Sequence, residues 1–157
     1  MSRPHRLDGF DYRGPHQYFL TLCTQQRAPV FLDAATAQLV LTQLLRTAGN
    51  HSFAYLAYCL MPDHFHALVE GLTPEANLTA FVKSAKESSG RAYFRRAKRA
   101  LWQEGYYEHV LRELEDARGV ARYIVENPVR AGIVDDPWAY EFIGSDRWTV
   151  RELLNSV

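Results

Sequence analysis

Two apolar, aromatic-rich runs, Phe53-Ala54-Tyr55-Leu56-Ala57-Tyr58-Cys59-Leu60 and His66-Ala67-Leu68-Val69-Glu70, stand on either side of Met61-Pro62-Asp63. Runs of this composition bounded by turn residues read as strands, and so short a connection forces them to pair antiparallel. Gly71 ends the second strand. Side chains at i and i+2 of a strand share a face, so His64 and His66 point together beside the turn while Phe65 points the other way, into a core. Two imidazoles flanking one bulky apolar residue can hold a metal ion, and a tyrosine brought near them can attack what the metal polarises.

The rest of the chain supplies layers for this hairpin. Tyr18-Phe19-Leu20-Thr21-Leu22-Cys23-Thr24 reads as a first strand. Asp33 is placed to cap a helix carrying Ala37, Val40, Leu41, Leu44, Leu45 and Ala48 at helical spacing, with Gly49 as its stop. After the hairpin, Leu78 to about Arg99 reads as a long basic helix weakened at Gly90, and Tyr106 to Leu111 as a fourth strand. A last helix runs from about Glu113 to Asn127 and ends before Pro128, because a residue preceding proline is biased away from helical geometry. The order β-α-β-β-α-β-α suits an α+β fold: a ferredoxin-like split βαβ with a four-stranded antiparallel sheet, helices on one face and a short C-terminal extension. The chain of 157 residues is expected to be one domain, with 1–15 as a loosely held arm and 135–157 as a tail.

Composition narrows the partners. Formal net charge is zero, so overall charge does not announce nucleic acid. The distribution is more informative. From Lys83 to Arg99 the cations Lys83, Lys86, Arg91, Arg95, Arg96, Lys98 and Arg99 are opposed only by Glu87, a candidate surface for phosphates. Lys83, Lys86, Arg91 and Arg95 recur near helical spacing. Cys23 and Cys59 sit singly inside apolar runs and read as reduced core thiols. No apolar run reaches the ~20 residues a bilayer needs, so the expectation is a cytoplasmic protein with no membrane partner.

On the last helix, Leu114, Ala117, Ala121, Ile124 and Val125 define an apolar stripe, and Tyr123 falls roughly 150° from its centre on a helical wheel. Tyr123 is therefore poorly placed to fill that core. Asn127 lies one turn further on, so phenol and amide should project together.

Three segments together resemble the single-tyrosine HUH transposases, and within them the REP-associated tyrosine transposases. They are Tyr58-Cys59-Leu60-Met61-Pro62-Asp63-His64-Phe65-His66-Ala67-Leu68-Val69, Trp102-Gln103-Glu104-Gly105-Tyr106-Tyr107-Glu108-His109-Val110-Leu111-Arg112 and Tyr123-Ile124-Val125-Glu126-Asn127-Pro128-Val129-Arg130-Ala131-Gly132-Ile133-Val134. The resemblance implies that His64, His66 and Asn127 bind a divalent metal, Mg2+ or Mn2+, and that Tyr123 is the nucleophile. It implies cleavage of single-stranded DNA beside an imperfect hairpin, through a 5′-phosphotyrosine intermediate that a second 3′-hydroxyl can reverse. It leaves open a monomer or a homodimer in which each chain lends its tyrosine to the other. Imidazole nitrogen suits manganese better than magnesium.

Each feature has a plainer reading. The basic helix could be a solvated face, and Tyr123 a half-buried helix residue. Glu108 and His109 could serve the site or a strand end. Trp102, Trp138 and Trp148 read as core or tail anchors, Arg130 as a phosphate contact, and Gly132 as a turn residue. Two competing functions follow: a catalytically silent hairpin DNA-binding regulator, and a cupin-like metal enzyme suggested by His64, His66 and Glu70. The helical content argues against the second.

Overall fold

The computed structural model describes Leu7 and residues 9–155. Strands β1 (Gln17–Cys23), β2 (Phe53–Met61), β3 (His64–Gly71), β4 (Tyr107–Val110) and β5 (Ile143–Gly144) form one sheet in the order β4-β1-β3-β2-β5. Every pairing in it is antiparallel. β1 and β2 therefore run the same way with β3 between them, and β3 and β4 the same way with β1 between them. This is the split βαβ topology expected. A single open sheet of this kind removes the cupin-like reading.

Two expectations are corrected. The sheet has five strands, not four, because the tail adds β5 to the free edge of β2, pairing Tyr58 with Gly144 and Cys59 with Ile143. A two-residue strand carries too little alternation to be seen in sequence. The helices also lie on both faces, not one. Helices α1 (Ala34–Asn50) and α2 (Leu78–Ala97) cover the face carrying Tyr18, Leu20, Leu22, Phe65, Ala67 and Val69. Helix α3 (Ala117–Val125) covers the other face, where Ala121, Ile124 and Val125 pack with Leu56, Cys59, Met61 and Leu68. Leu153 of α5 (Val150–Leu154) joins that second core.

A β-bulge lets β2 feed both cores. The register with β3 shifts between Tyr55 and Ala57, leaving Leu56 as the extra residue. Phe53 and Tyr55 before it, and Tyr58 and Leu60 after it, face the first core; Leu56, Ala57, Cys59 and Met61 face the second.

The described part of the expected loose arm is held. Phe10 and Tyr12 pack on the first core, the Leu78 N–H donates to the Tyr12 carbonyl at 3.0 Å, and the Gly14 N–H to that of Ala76 at 2.9 Å. Residues 1–6 and 8 lie outside the described residues. Trp102 anchors the first core as expected, its indole N–H donating to Ser89 Oγ at 2.9 Å. Trp138 does not enter the core: it is 53% exposed, with the guanidinium of Arg151 in the tail 5.6 Å from its ring.

Helix α2 runs through Gly90 without a break, and a methyl group there would meet Trp102 at 4.0 Å, an ordinary contact. At Gly71 the same methyl would lie 2.1 Å from the Gly14 carbonyl oxygen, so only glycine lets the arm approach. In urea denaturation, Gly90→Ala is expected to stabilise by about 0.5–1 kcal/mol. Gly71→Ala is expected to destabilise by about 1–3 kcal/mol.

Candidate active site

The hairpin fixes both histidines. Met61 pairs directly with His64 across the two-residue turn Pro62-Asp63, and the turn is clamped from outside by the Thr24 N–H donating to the Asp63 carbonyl at 3.1 Å and the Phe31 N–H to that of Pro62 at 3.0 Å. Phe65 enters the first core, and His64 and His66 take the opposite face, under α3. Their ring centroids are 4.5 Å apart with planes at 74°.

Each ring is tied by its Nδ1. That of His64 lies 2.7 Å from Asp63 Oδ1, and that of His66 lies 2.9 Å from Thr21 Oγ1, which β1 sets directly across from it. Burial pushes His64 below its ordinary value against the pull of Asp63. Burial, with help from His64, Arg130 and Arg27, pushes His66 down to about 3. Both rings are thus neutral near pH 7, the state in which imidazole binds a metal. Among the described residues no three His, Cys, Asp or Glu side chains converge on a metal site; the resemblance adds to the two histidines an amide, that of Asn127, which opens the short helix after α3.

Helix α3 begins later than expected, at Ala117, where Asp116 caps it by accepting from the Arg118 N–H at 3.1 Å. Leu114 accordingly lies outside the helix and is fully exposed. After Glu126 the chain enters a short helix α4 (Asn127–Arg130), with Pro128 in its first turn rather than beyond a helix end. Tyr123 is 54% exposed on α3, as its place on the wheel required. Arg130 folds back over it: the guanidinium carbon lies 3.7 Å from the ring centroid, and Nη2 donates to the Tyr123 carbonyl at 2.6 Å. The Arg130 charge is also felt at His66 and at Cys59. Tyr123, Arg130 and the histidine pair therefore belong to one face of the sheet.

The other expected cations do not converge there. Lys83, Lys86, Arg91 and Arg95 lie on α2, across the sheet from the histidines. Lys86 Nζ donates to the Gln103 and Gly105 carbonyls, each at 2.8 Å, which makes it a strut. His109 pairs with Glu115 at 3.0 Å, Glu70 with Gln17 and Arg147, and Gly132 turns the chain at φ 75°. Cys23 and Cys59 form no disulfide and are buried, with burial raising both thiols, Cys59 to about 12. Thr21, Arg27 and Asp63 were not expected at the site. The signal for Thr21 is its β1 register, which needs the sheet; sequence adjacency marks Asp63 only as a turn residue.

The description "Transposase IS200 like" fits residues 14–127, which contain the hairpin, both histidines, Tyr123 and Asn127. This chain belongs to that transposase family. It is 26% identical over 144 residues to a Haemophilus influenzae protein described as a "Putative REP-associated tyrosine transposase", spanning 82% of this chain and 80% of the relative. Its fold matches that of a REP-associated tyrosine transposase solved bound to a REP hairpin, with a TM-score of 0.72 at 21% identity over 91% of this chain and 82% of that one. A Deinococcus radiodurans crystal structure described as "a putative transposase" matches with a TM-score of 0.55 at 26% identity, over 79% of this chain and 97% of that one. No helix among the described residues is long and apolar enough to cross a membrane.

The depressed His66 value has a pH consequence. The unfolded chain takes up a proton near 6.5 and the folded chain only near 3, so stability from this ring is present above pH 6.5 and is lost as pH falls toward 3. His66→Gln is expected to remove that component, so that its stability relative to wild type improves steadily below pH 6.5. Urea midpoints measured from pH 7 to 4 check the sign.

Proposed function

We propose that this transposase-family chain nicks single-stranded DNA beside a hairpin and transfers the strand through a covalent tyrosine link. The observation that supports it most is the placing of an exposed Tyr123, packed under Arg130, on the face that carries two neutral imidazoles. In this reading His64 Nε2, His66 Nε2 and the Asn127 amide hold Mg2+ or Mn2+. Such an ion would polarise the scissile phosphorus through a nonbridging oxygen and stabilise the charge that develops.

The chain's own groups do the rest. Tyr123 Oη loses its proton and forms a bond to phosphorus as the bond from phosphorus to the 3′-oxygen breaks; that oxygen leaves as a hydroxyl, and the 5′-phosphate stays on the tyrosine. Attack by another 3′-hydroxyl returns the phenol and joins new ends. A phenol with a reference pKa of about 10 is a poor nucleophile until its proton leaves, so alignment and electrostatics must supply the rate. Arg130 contributes to both: its stacking fixes the ring, and its charge sits where a phosphate must approach the tyrosine. Lys83, Arg91 and Arg95, on the far layer, are suited to DNA that wraps the domain and not to the scissile strand.

Incubation with labelled hairpin DNA and Mn2+, followed by denaturing electrophoresis and mass mapping, tests this. The expected result is an adduct on Tyr123 that is lost with chelator and in Tyr123→Phe, while hairpin binding by that variant persists. Arg130→Ala is expected to slow adduct formation about 100-fold with little change in hairpin affinity. Tight hairpin binding with no adduct under any metal would instead make the chain a DNA-binding regulator.

A further inference from the structure

The loop after β1 takes a costly shape. Gln26 and Arg27 are both left-handed, with φ 55° and 53°, a region uncommon outside glycine and rarer still for two residues in succession. The loop is pinned in that shape: Thr24 Oγ1 donates to the Ala28 and Asp63 carbonyls, and Gln25 Nε2 to the Trp102 carbonyl at 2.8 Å. Its result is to carry the Arg27 guanidinium to the hairpin turn, where Nε donates to Asp63 Oδ2 at 3.0 Å. The other oxygen of the same carboxylate, Oδ1, lies 2.7 Å from His64 Nδ1.

These contacts are chemically one-directional. A carboxylate only accepts, so the His64 nitrogen facing Asp63 must carry the proton. Arg27 Nη2 is also 3.4 Å from that nitrogen, but a guanidinium only donates, and with the proton on Nδ1 the two would oppose each other. The shorter carboxylate contact decides, and Arg27 is satisfied by Asp63.

We propose that Arg27 and Asp63 form a positioning relay that fixes His64 as the Nδ1–H tautomer and aims its Nε2 at the ion held with His66. This rests on the histidine pair being the metal site. His66 makes the contrast: its neighbour Thr21 has a hydroxyl that can donate or accept, so it orients the ring without choosing the tautomer. The chain thus enforces the proton position on one ligand and leaves it adjustable on the other. Supporting groups of this kind typically change metal affinity by about 10–100-fold.

Two readouts test the relay. The first is the tautomer of His64 in metal-free protein, from 15N shifts of histidine-labelled samples near pH 7. Wild type is expected to show a protonated Nδ1 and a bare Nε2, and Asp63→Ala a mixture. The second is Mn2+ affinity by calorimetry, expected to fall about 10–100-fold in Asp63→Ala and by less in Asp63→Asn and Arg27→Ala, which each keep one half of the relay. Asp63→Asn preserves the size of the turn residue and serves if the alanine variant misfolds. An unchanged tautomer together with unchanged Mn2+ affinity in the Asp63 variants overturns the proposal. His66→Ala separates the two readings: if it too binds Mn2+ as wild type does, the metal site itself is wrong, whereas loss of binding there with normal binding in the Asp63 variants removes the relay alone.

Discussion

Strand β3 is paired on both sides, with β1 and with β2, and its alternation is what the site hangs on. Phe65, Ala67 and Val69 must enter the core under α1 and α2, which leaves His64 and His66 no choice of face. A slip of one residue would exchange the two sets, burying imidazoles among aromatic rings and turning Phe65 to the face under α3. Because two flanking strands and a clamped turn all oppose such a slip, the histidines are held by the same forces that hold the core. Precision at the site needs no separate scaffold.

The second half of the site depends on how α3 ends. Proline at position 128 has no N–H to return to the Ile124 carbonyl, and the other last carbonyls of the helix also need donors from elsewhere. The Tyr123 carbonyl finds one in Arg130, seven residues on in the short helix that follows. The end of α3 thereby brings a cation back over the one large aromatic ring that α3 leaves in solvent. Ala121, Ile124 and Val125 anchor the helix from the opposite side, so the exposed phenol is carried by a buried base.

Much of this was legible in the residues. The hairpin, the shared face of His64 and His66, the outward placing of Tyr123 and the four-strand order all follow from period-two and period-three-point-six patterns, which are local. What was not legible is tertiary. The bulge at Leu56 switches the face of every later β2 residue without altering composition, so the second apolar surface that draws α3 across the sheet could not be read from alternation. The α2 cations read as one surface for phosphates because helical spacing says nothing about which layer a helix joins, and Lys86 is absorbed by two carbonyls that follow Trp102 in sequence. Arg27, Asp63 and Thr21 were missed for the same reason. Each acts across a strand or a loop, and sequence adjacency marked Asp63 only as a turn residue.

The tail bears on solubility as well as on shape. β2, Phe-Ala-Tyr-Leu-Ala-Tyr-Cys-Leu-Met, has neither a charge nor a proline, the composition from which cross-β stacks are nucleated when an edge is bare. β5 covers part of that edge, the Asp146 backbone and carboxylate occupy the backbone C=O and N–H of Tyr55, and Tyr140 Oη donates to the Leu60 carbonyl at 2.5 Å. A few residues that add little to the sheet as structure thus act as a guard against self-association. A chain trimmed before them would present its stickiest strand to its neighbours.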